Sequence, residues 1–332
     1  MKILITGVAG FVGFNLAREL IKKNKVVGID NLNLYYSQKL KKDRLKILEN
    51  KNFQFYRLDI VKKKNIYEIA RKHKITHIVH LAAQAGVRHS LKYPEDYFKS
   101  NLSGTFSVLE CCRLLKIKNL LLASTSSVYG NNPQKIFNED LPADHPIQFY
   151  AATKRSTEIM AHSYSCLYKI PTICMRFFTV YGPWGRPDMA LYKFTKNILE
   201  NKKINVFNHG NHSRDFTYVD DVVLMIKSLL KKPPKSDKTW DKKFKLSASK
   251  NPYRIFNLSA GRNVKLMNYI KEIEKNTGKK ARINFLPLQK GDVINTSSST
   301  KNLNKYIKIK KTTDYKLGVK KFVEWYKTYH NH

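Results

Sequence analysis

Cysteine is scarce in this chain, and its four copies, Cys111, Cys112, Cys166 and Cys174, show no C-x-x-C spacing. That pattern argues against a zinc ribbon or a disulfide-stapled scaffold and suits a reducing compartment. Acidic residues are also few, 25 against 62 Lys and Arg, which leaves a formal net charge of +37. The basic runs are short, such as Lys62-Lys63-Lys64, and no recognisable nucleic-acid module accompanies them. The excess therefore reads as a solvated, lysine-rich surface rather than a polyanion site. No apolar run approaches the ~20 residues of a membrane span. Met1-Lys-Ile-Leu-Ile-Thr6 enters a strand directly, leaving no room for a signal peptide. The expectation is a cytoplasmic, soluble protein with no metal, membrane or nucleic-acid partner.

What is present is a globular composition, 42% hydrophobic and 12% aromatic over 332 residues, enough for one large or two medium domains. Ile3-Leu-Ile-Thr6 reads as a strand, followed by Gly7-Val-Ala-Gly10-Phe-Val-Gly13 and an amphipathic helix to about Lys23. Glycines at this spacing permit a tight turn and close backbone approach to a pyrophosphate at the helix N-terminus. The second strand, Val26 to Ile29, ends on Asp30, a carboxylate placed to accept both ribose hydroxyls of an adenosine. A 2′-phosphate would meet like charge there, so the pattern favours NAD. A third strand ends on Asp59-Ile60, suited to an adenine edge, and a fourth, Ile78 to Leu81, runs into the small residues Ala82-Ala-Gln-Ala-Gly86. A helix over about 95–115, the strand Leu120 to Ala123 and the segment Ser124-Thr-Ser-Ser-Val-Tyr-Gly130 follow. Alternating strands and helices predict an α/β fold: a Rossmann-like, doubly wound parallel sheet with ligands at the carboxyl ends of its strands.

Tyr150 and Lys154 lie four residues apart, so on a helix they share one face, where an ammonium can favour an ionised phenol. The spacing alone is common here, recurring at Tyr35/Lys39 and Tyr192/Lys196. Placement after the Ser124 to Gly130 segment singles out Tyr150. Lowering a phenol from about 10 to near 7 takes about 4 kcal/mol of differential stabilisation.

With these pieces in place the chain resembles the extended short-chain dehydrogenase/reductases of the NAD-dependent epimerase/dehydratase type, and within them the UDP-glucuronate 4-epimerases. The resemblance runs through Gly7–Gly13, Asp30-Asn-Leu-Asn-Leu-Tyr-Tyr36, Leu81 to Arg88, Ser124–Gly130, Tyr150–Lys154, Arg176 to Met189, Arg214 to Asp221 and Gly291-Asp-Val293. It implies a cofactor-binding part over 1–177 and a smaller C-terminal α/β nucleotide-sugar part over 178–332, with segments such as 255–258 returning to the sheet. The implied cofactor contacts are Gly7, Gly10, Phe11, Val12, Gly13, Asp30, Asn31, Asp59, Ile60, Leu81, Ala82, Ala83, Asn101, Tyr150 and Lys154. Thr125 and Ser126 would hydrogen-bond the reacting oxygen, Tyr150 would be the base, and Lys154 would hold the nicotinamide ribose. Arg88, Thr179, Arg186 and Arg214 would meet the substrate, Arg186 at the sugar carboxylate and Arg214 near the diphosphate. A homodimer is the implied assembly.

The implied reaction is reversible C4 epimerisation of UDP-glucuronate and UDP-galacturonate through a transient 4-keto sugar. Rivals are epimerisation of UDP-glucose and UDP-galactose, decarboxylation of UDP-glucuronate, and a non-enzymatic NAD-binding regulator with a basic nucleic-acid-contacting surface. The triplet Thr125-Ser126-Ser127 carries no acid where related decarboxylases and dehydratases have one. Gln148, His89 and Ser299 depart from the family pattern without removing a catalytic group. The stretch 231–254 reads as a long surface excursion, and the last helix, about 317–329, should bury Phe322, Val323 and Tyr326.

Overall fold

The computed structural model describes residues 1–242, 244–289, 293, 295–309 and 311–332; Gly291 and Asp292 of the Gly291-Asp-Val293 match lie outside them. The first half alternates as its hydrophobic pattern demands: β1 (Lys2–Thr6), α1 (Phe11–Leu20), β2 (Lys25–Asp30), α2 (Gln38–Ile47), β3 (Phe53–Arg57), α3 (Lys63–Lys72), β4 (His77–His80), α4 (Pro94–Tyr97), α5 (Gly104–Leu114), β5 (Asn119–Thr125), α6 (Phe149–Tyr168) and β6 (Thr172–Phe177). The second half adds β7 (Thr179–Tyr181), α7 (Ala190–Leu199), β8 (Lys203–Phe207), β9 (Ser213–Tyr218), α8 (Val219–Leu230), β10 (Tyr253–Leu258), β11 (Asn263–Lys265), α9 (Leu266–Thr277), β12 (Arg282–Leu286), α10 (Lys301–Ile307) and α11 (Tyr315–His330).

Seven strands form one parallel sheet in the order β10-β6-β5-β4-β1-β2-β3. Its pleat explains the apolar runs. Ile3 and Ile5 share one face with Val79, Leu121 and Ile173, under Phe14 of α1 and Val222 and Ile226 of α8. Leu4 faces the other way with Ile78, Leu120 and Leu122, under Ile66, Val108, Leu109 and Ala161. Because both faces are covered, the strands show no polar alternation. β2 and β3 lie on one side of β1, and β4 and the remaining strands on the other. The loops after β1 and β4 therefore part and open a crevice at the sheet's carboxyl edge. A separate aromatic core, including Tyr181, Phe216, Tyr269, Phe322 and Tyr326, gathers β7, β9, α9 and α11.

Three elements differ from the pattern reading. The helix expected over about 95–115 is interrupted by a π-helical stretch, Phe98–Ser103. Asn101 sits in it and turns its amide inward to the Gln84 backbone, an inserted loop of the kind often found beside functional sites. The first helix ends at Leu20 rather than about Lys23. The surface excursion also ends earlier than expected, because Tyr253 and Arg254 already belong to β10, paired with Thr172 and Ile173 at the sheet edge.

The strongest polar constraint inside the fold is Glu158 of α6. It is wholly buried and accepts from Arg176 Nε at 2.9 Å and Nη2 at 2.8 Å, from Ser124 Oγ at 2.5 Å and from Arg155 Nη1 at 3.1 Å. Burial alone would raise its pKa, but the Arg176 guanidinium outweighs that and holds the carboxyl below its ordinary range. Replacing Glu158 by Ala strands a buried guanidinium, and the expected loss is about 3–5 kcal/mol in denaturant unfolding at neutral pH. Because the folded-state pKa is depressed, the pair's contribution is present at neutral pH and is lost as pH falls below about 4.5, toward the folded value. The difference between wild type and variant should therefore narrow in acid.

Candidate active site

The turn from β1 into α1 forms the floor of the site. Gly7 has φ +74°, and a Cβ there would fall 2.7 Å from the Ala82 backbone nitrogen. On Gly13 a Cβ would fall 2.2 Å from the Gly7 carbonyl oxygen, so neither position tolerates a side chain. Beneath them Thr6 Oγ1 accepts from the Ala82 N–H at 3.2 Å and shares a hydrogen bond with His80 Nδ1 at 2.7 Å. His80 Nε2 shares another with Thr105 Oγ1 at 3.1 Å. Burial pushes this histidine down to about 3, so it stays neutral and serves as a spacer between β4 and α5.

Above the floor lies an open cleft at the carboxyl edge of the sheet. Gly7, Gly10, Phe11, Val12, Gly13, Asp30, Asn31, Ile60, Leu81, Ala82 and Ala83 all line it. Among the described residues α1 has no side-chain cap at Gly10 and no acid in its first turn, so its leading N–H groups and dipole face the cleft unopposed. Asp30 accepts from Ala9 N–H at 3.1 Å and Leu32 N–H at 2.8 Å, one bond to each oxygen. Each oxygen keeps a lone pair for a ribose hydroxyl. Burial raises the Asp30 pKa, with the Leu32 N–H the leading opposing influence.

Two expected cofactor residues, Asp59 and Asn101, are not among the residues lining the cleft. Asp59 takes Asn31 Nδ2 at 3.1 Å and the Val61 N–H at 3.1 Å, and so orders the loop after β2. Asn101 has its amide engaged by the Gln84 backbone and by Thr153 Oγ1 at 3.0 Å, which fixes the wall of small residues to α6.

The end of β5 and α6 carry the catalytic candidates Thr125, Ser126, Tyr150 and Lys154, none of which is among the residues lining the cleft, although the charge of Arg186, which does line it, acts on Tyr150. Thr125 closes β5, and Ser126 opens the following short turn, Ser126–Tyr129. Burial holds the Tyr150 phenol above its ordinary value, against the Arg186 charge and the influence of the Thr125 hydroxyl, both of which favour ionisation; Thr125 Oγ1 itself donates to Ser127 Oγ at 3.2 Å. The ring of Tyr97 packs edge-on against Tyr150 at 5.9 Å, while its hydroxyl donates to Ala85 O at 2.9 Å. The lysine departs from the sequence reading. Lys154 donates to the Ala123 carbonyl at 2.9 Å and is not among the groups acting on the Tyr150 phenol. The shared helix face holds, but the longer side chain runs on to the end of β5. Burial lowers the Lys154 pKa to about 8, with Cys174 and Glu158 acting the other way.

The expected substrate residues are dispersed. Arg186 lines the cleft, and Thr179 lines an adjoining apolar hollow that Arg186 also borders, with Phe11, Tyr181 and Phe216. Arg88 lies over the Phe207 ring at 4.8 Å. Arg214 donates to Ser213 O at 2.9 Å and to Val293 O at 2.5 Å. Neither Arg88 nor Arg214 lines the cleft.

Several residues escaped the pattern reading. Lys41 and Arg44 of α2 look like surface cations in a lysine-rich helix, yet both are buried. Lys41 lines the cleft and donates to Asn33 O and Oδ1, each at 2.7 Å. Arg44 donates to Ala9 O at 2.7 Å and to Trp184 O at 2.6 Å. Their i, i+3 spacing on one helix face was the available signal.

A family model, the NAD dependent epimerase/dehydratase family, matches residues 3–241. The chain belongs to this family. Protein CapI of Staphylococcus aureus is 48% identical over 332 residues, covering 99% of each chain. "Probable UDP-glucuronate 4-epimerase" of Rhizobium meliloti is 44% identical, covering 98% of this chain and 97% of its own. A crystal structure of UDP-glucuronic acid 4-epimerase from Bacillus cereus, in complex with UDP-glucuronic acid and NAD, superposes with a TM-score of 0.88 at 32% identity, covering 99% of this chain and all of that one.

The family member described here is thus an NAD-dependent enzyme, and the donor set fits the cofactor: a glycine floor, an open helix N-terminus and a carboxylate at the end of β2. Asp30→Ala should weaken NAD about 10- to 100-fold, the loss of a charged hydrogen bond, and narrow the preference over NADP. Titration of apo-protein with each nucleotide measures both. Unchanged discrimination would remove Asp30 from the ribose contact.

Proposed function

We propose that this enzyme interconverts UDP-glucuronate and UDP-galacturonate by inverting C4, with 1–177 serving as the cofactor part and 178–332 as the sugar part. The observation that carries the reading is that a phenol and a hydroxyl stand within the influence of a guanidinium that lines the cleft. The Arg186 charge and the Thr125 hydroxyl both act on the Tyr150 phenol. A base and a carboxylate-binding group that close together suit a sugar whose reacting hydroxyl and acid sit on adjacent carbons. The names of the relatives support the same substrate.

Bound NAD supplies a reversible hydride acceptor and a positive charge. Tyr150 accepts the proton of the 4-hydroxyl and returns it after the sugar has turned, and Thr125, aided by Ser126, hydrogen-bonds the same oxygen. Burial opposes ionisation of the phenol, so the opposing cationic field has to provide the ~4 kcal/mol that brings a pKa of about 10 near neutrality. Lys154, poised near 8 at the end of β5, adds charge at the ribose side of the site. Arg186 binds the sugar carboxylate, while Arg88, Thr179 and Arg214 hold the nucleotide end.

The substrate test is incubation of the purified enzyme with UDP-glucuronate and chromatographic separation of the products. UDP-galacturonate is the expected product; a preference for UDP-glucose would overturn the reading. Tyr150→Phe should lower turnover by about 10²- to 10⁴-fold and leave the NAD content unchanged. Substantial residual turnover would exclude Tyr150 as the base.

The enzyme is further proposed to act in the cytoplasm as a homodimer, with no nucleic-acid partner. Among the described residues no helix is long and apolar enough to cross a membrane. Phe106 and Leu114 of α5 and Ile159, Leu167 and Tyr168 of α6 leave large apolar groups exposed on two adjacent helices. Such surface suits an isologous pairing through this pair of helices. Light scattering should give twice the chain mass, and Phe106→Glu with Leu167→Glu should return it to monomer.

A further inference from the structure

The stretch Asn31-Leu-Asn-Leu-Tyr-Tyr36 leaves the ribose end of the cleft, and its two tyrosines cross to the loop that follows β7. The Tyr35 hydroxyl donates to Asp188 Oδ2 at 3.2 Å, a contact between residues 153 apart in sequence. The same carboxylate takes Arg186 in two-pronged fashion, Nε to Oδ1 at 2.9 Å and Nη2 to Oδ2 at 2.5 Å. Beside it the Tyr36 hydroxyl accepts from Arg44 Nη1 at 2.8 Å, and Arg44 Nη2 donates to Trp184 O at 2.6 Å in that loop. One turn is therefore tied twice to the loop that carries Arg186.

Two facts set this contact apart from a stabilising ion pair. Arg186 lines the cleft, and it and Asp188 keep 22% and 28% of their side-chain surface exposed, so the guanidinium is open to an incoming ligand. Asp188 also occupies one edge of the guanidinium fork, so an incoming carboxylate must use the remaining donors or displace it. The orientation of those donors is set by Asp188, and Asp188 is held in turn by Tyr35.

We propose that Tyr35 and Asp188 are positioning residues for the acidic sugar: together they latch Arg186 in the orientation that receives the sugar carboxylate, and they couple that orientation to the cofactor's ribose loop. The inference rests on the substrate reading above. It has a chemical consequence, because a 4-keto uronate is a β-keto acid. Its decarboxylation breaks the C5–C6 bond, leaves the electron pair as the C4 enolate and ends with a solvent proton at C5. The step is favoured when the C5–C6 bond aligns with the carbonyl π system. A fixed guanidinium can hold the carboxylate out of that alignment, whereas a loose one cannot.

The test compares wild type with Tyr35→Phe, Asp188→Asn and the double variant, using UDP-glucuronate labelled at C6. It reads KM, kcat, released carbon dioxide, NAD content and melting temperature. Tyr35→Phe loses one oxygen while the ring keeps its packing against His89 at 4.9 Å, so fold and NAD content should hold. KM for UDP-glucuronate should rise about 3- to 10-fold, as for loss of a hydrogen bond that orients a charged group, and the carbon dioxide fraction should rise several-fold. Asp188→Asn should do more, and the double variant should be no worse than Asp188→Asn, because the two act through one path. Wild-type KM and carbon dioxide ratio in Tyr35→Phe would overturn the latch and leave the substrate reading intact. A lower KM in Asp188→Asn would also overturn it, by making Asp188 a competitor of the substrate. Wild type that prefers UDP-glucose would overturn the substrate reading and the latch with it.

Discussion

Glu158 ties three parts of the site through one carboxylate: the helix that carries Tyr150 and Lys154, the strand that ends in Thr125, and the strand that leads to the sugar loop. Ser124 reaches it from β5 and Arg176 from β6, one residue before the sheet strand ends. Arg176 also lies over the Tyr129 ring at 4.7 Å, and the Tyr129 hydroxyl donates to Asn257 of β10 at 2.7 Å. A chain of polar contacts therefore runs across the sheet at the level of the catalytic groups. A buried pair of this kind gains little net stability over apolar packing, but breaking it is costly, so it fixes geometry more than it adds free energy.

Placement of positive charge follows the same logic. Most of the 62 basic side chains belong to a solvated surface, but Lys41, Arg44, Lys154 and Arg176 are buried. Arg176 has a carboxylate partner, whereas Lys154 and Arg44 bond neutral oxygens, backbone carbonyls with the Tyr36 hydroxyl in addition for Arg44. Burying such cations is expensive, and the charges of Asp30 near Lys41 and Arg44 and of Glu158 near Lys154 offset part of that cost. Arg44 and Lys41 flank the helix N-terminus and Asp30, on the side where the dinucleotide's phosphates are expected. Lys154, lowered to about 8 by burial, is held on the Ala123 carbonyl at the end of β5. The enzyme thus carries part of its electrostatic preorganisation before either ligand is bound.

Much of this architecture was legible in the residues. The glycine turn, Asp30 and Leu81 pointed to one edge of a parallel sheet and line one cleft, whereas Asp59 and Thr125, read at the same edge, are not among its lining residues. Asn101 and Asp59 were read as cofactor contacts, yet neither is among the residues lining the cleft and each bonds a residue that is, Gln84 and Asn31, because a side chain's direction in a π-helical stretch or a loop leaves no periodic trace. Lysine bias masked Lys41 and Arg44, since in a chain this basic a cation on a polar helix carries no local signal of burial.

Sequence alone determined what depends on near neighbours: the alternation of apolar strands with amphipathic helices, the positions that must be glycine, and the four-residue spacing that puts Tyr150 and Lys154 on one helix face. Only the tertiary structure decided what depends on partners far along the chain. It gave the Lys154 ammonium to Ala123 rather than to Tyr150, buried Arg44 against Trp184, 140 residues away, and set Tyr35 on Asp188. The physical reason is that hydrophobic periodicity encodes which face of an element turns inward. The partner of a buried polar group is chosen by where the sheet order brings distant loops together, and local spacing carries no record of that order.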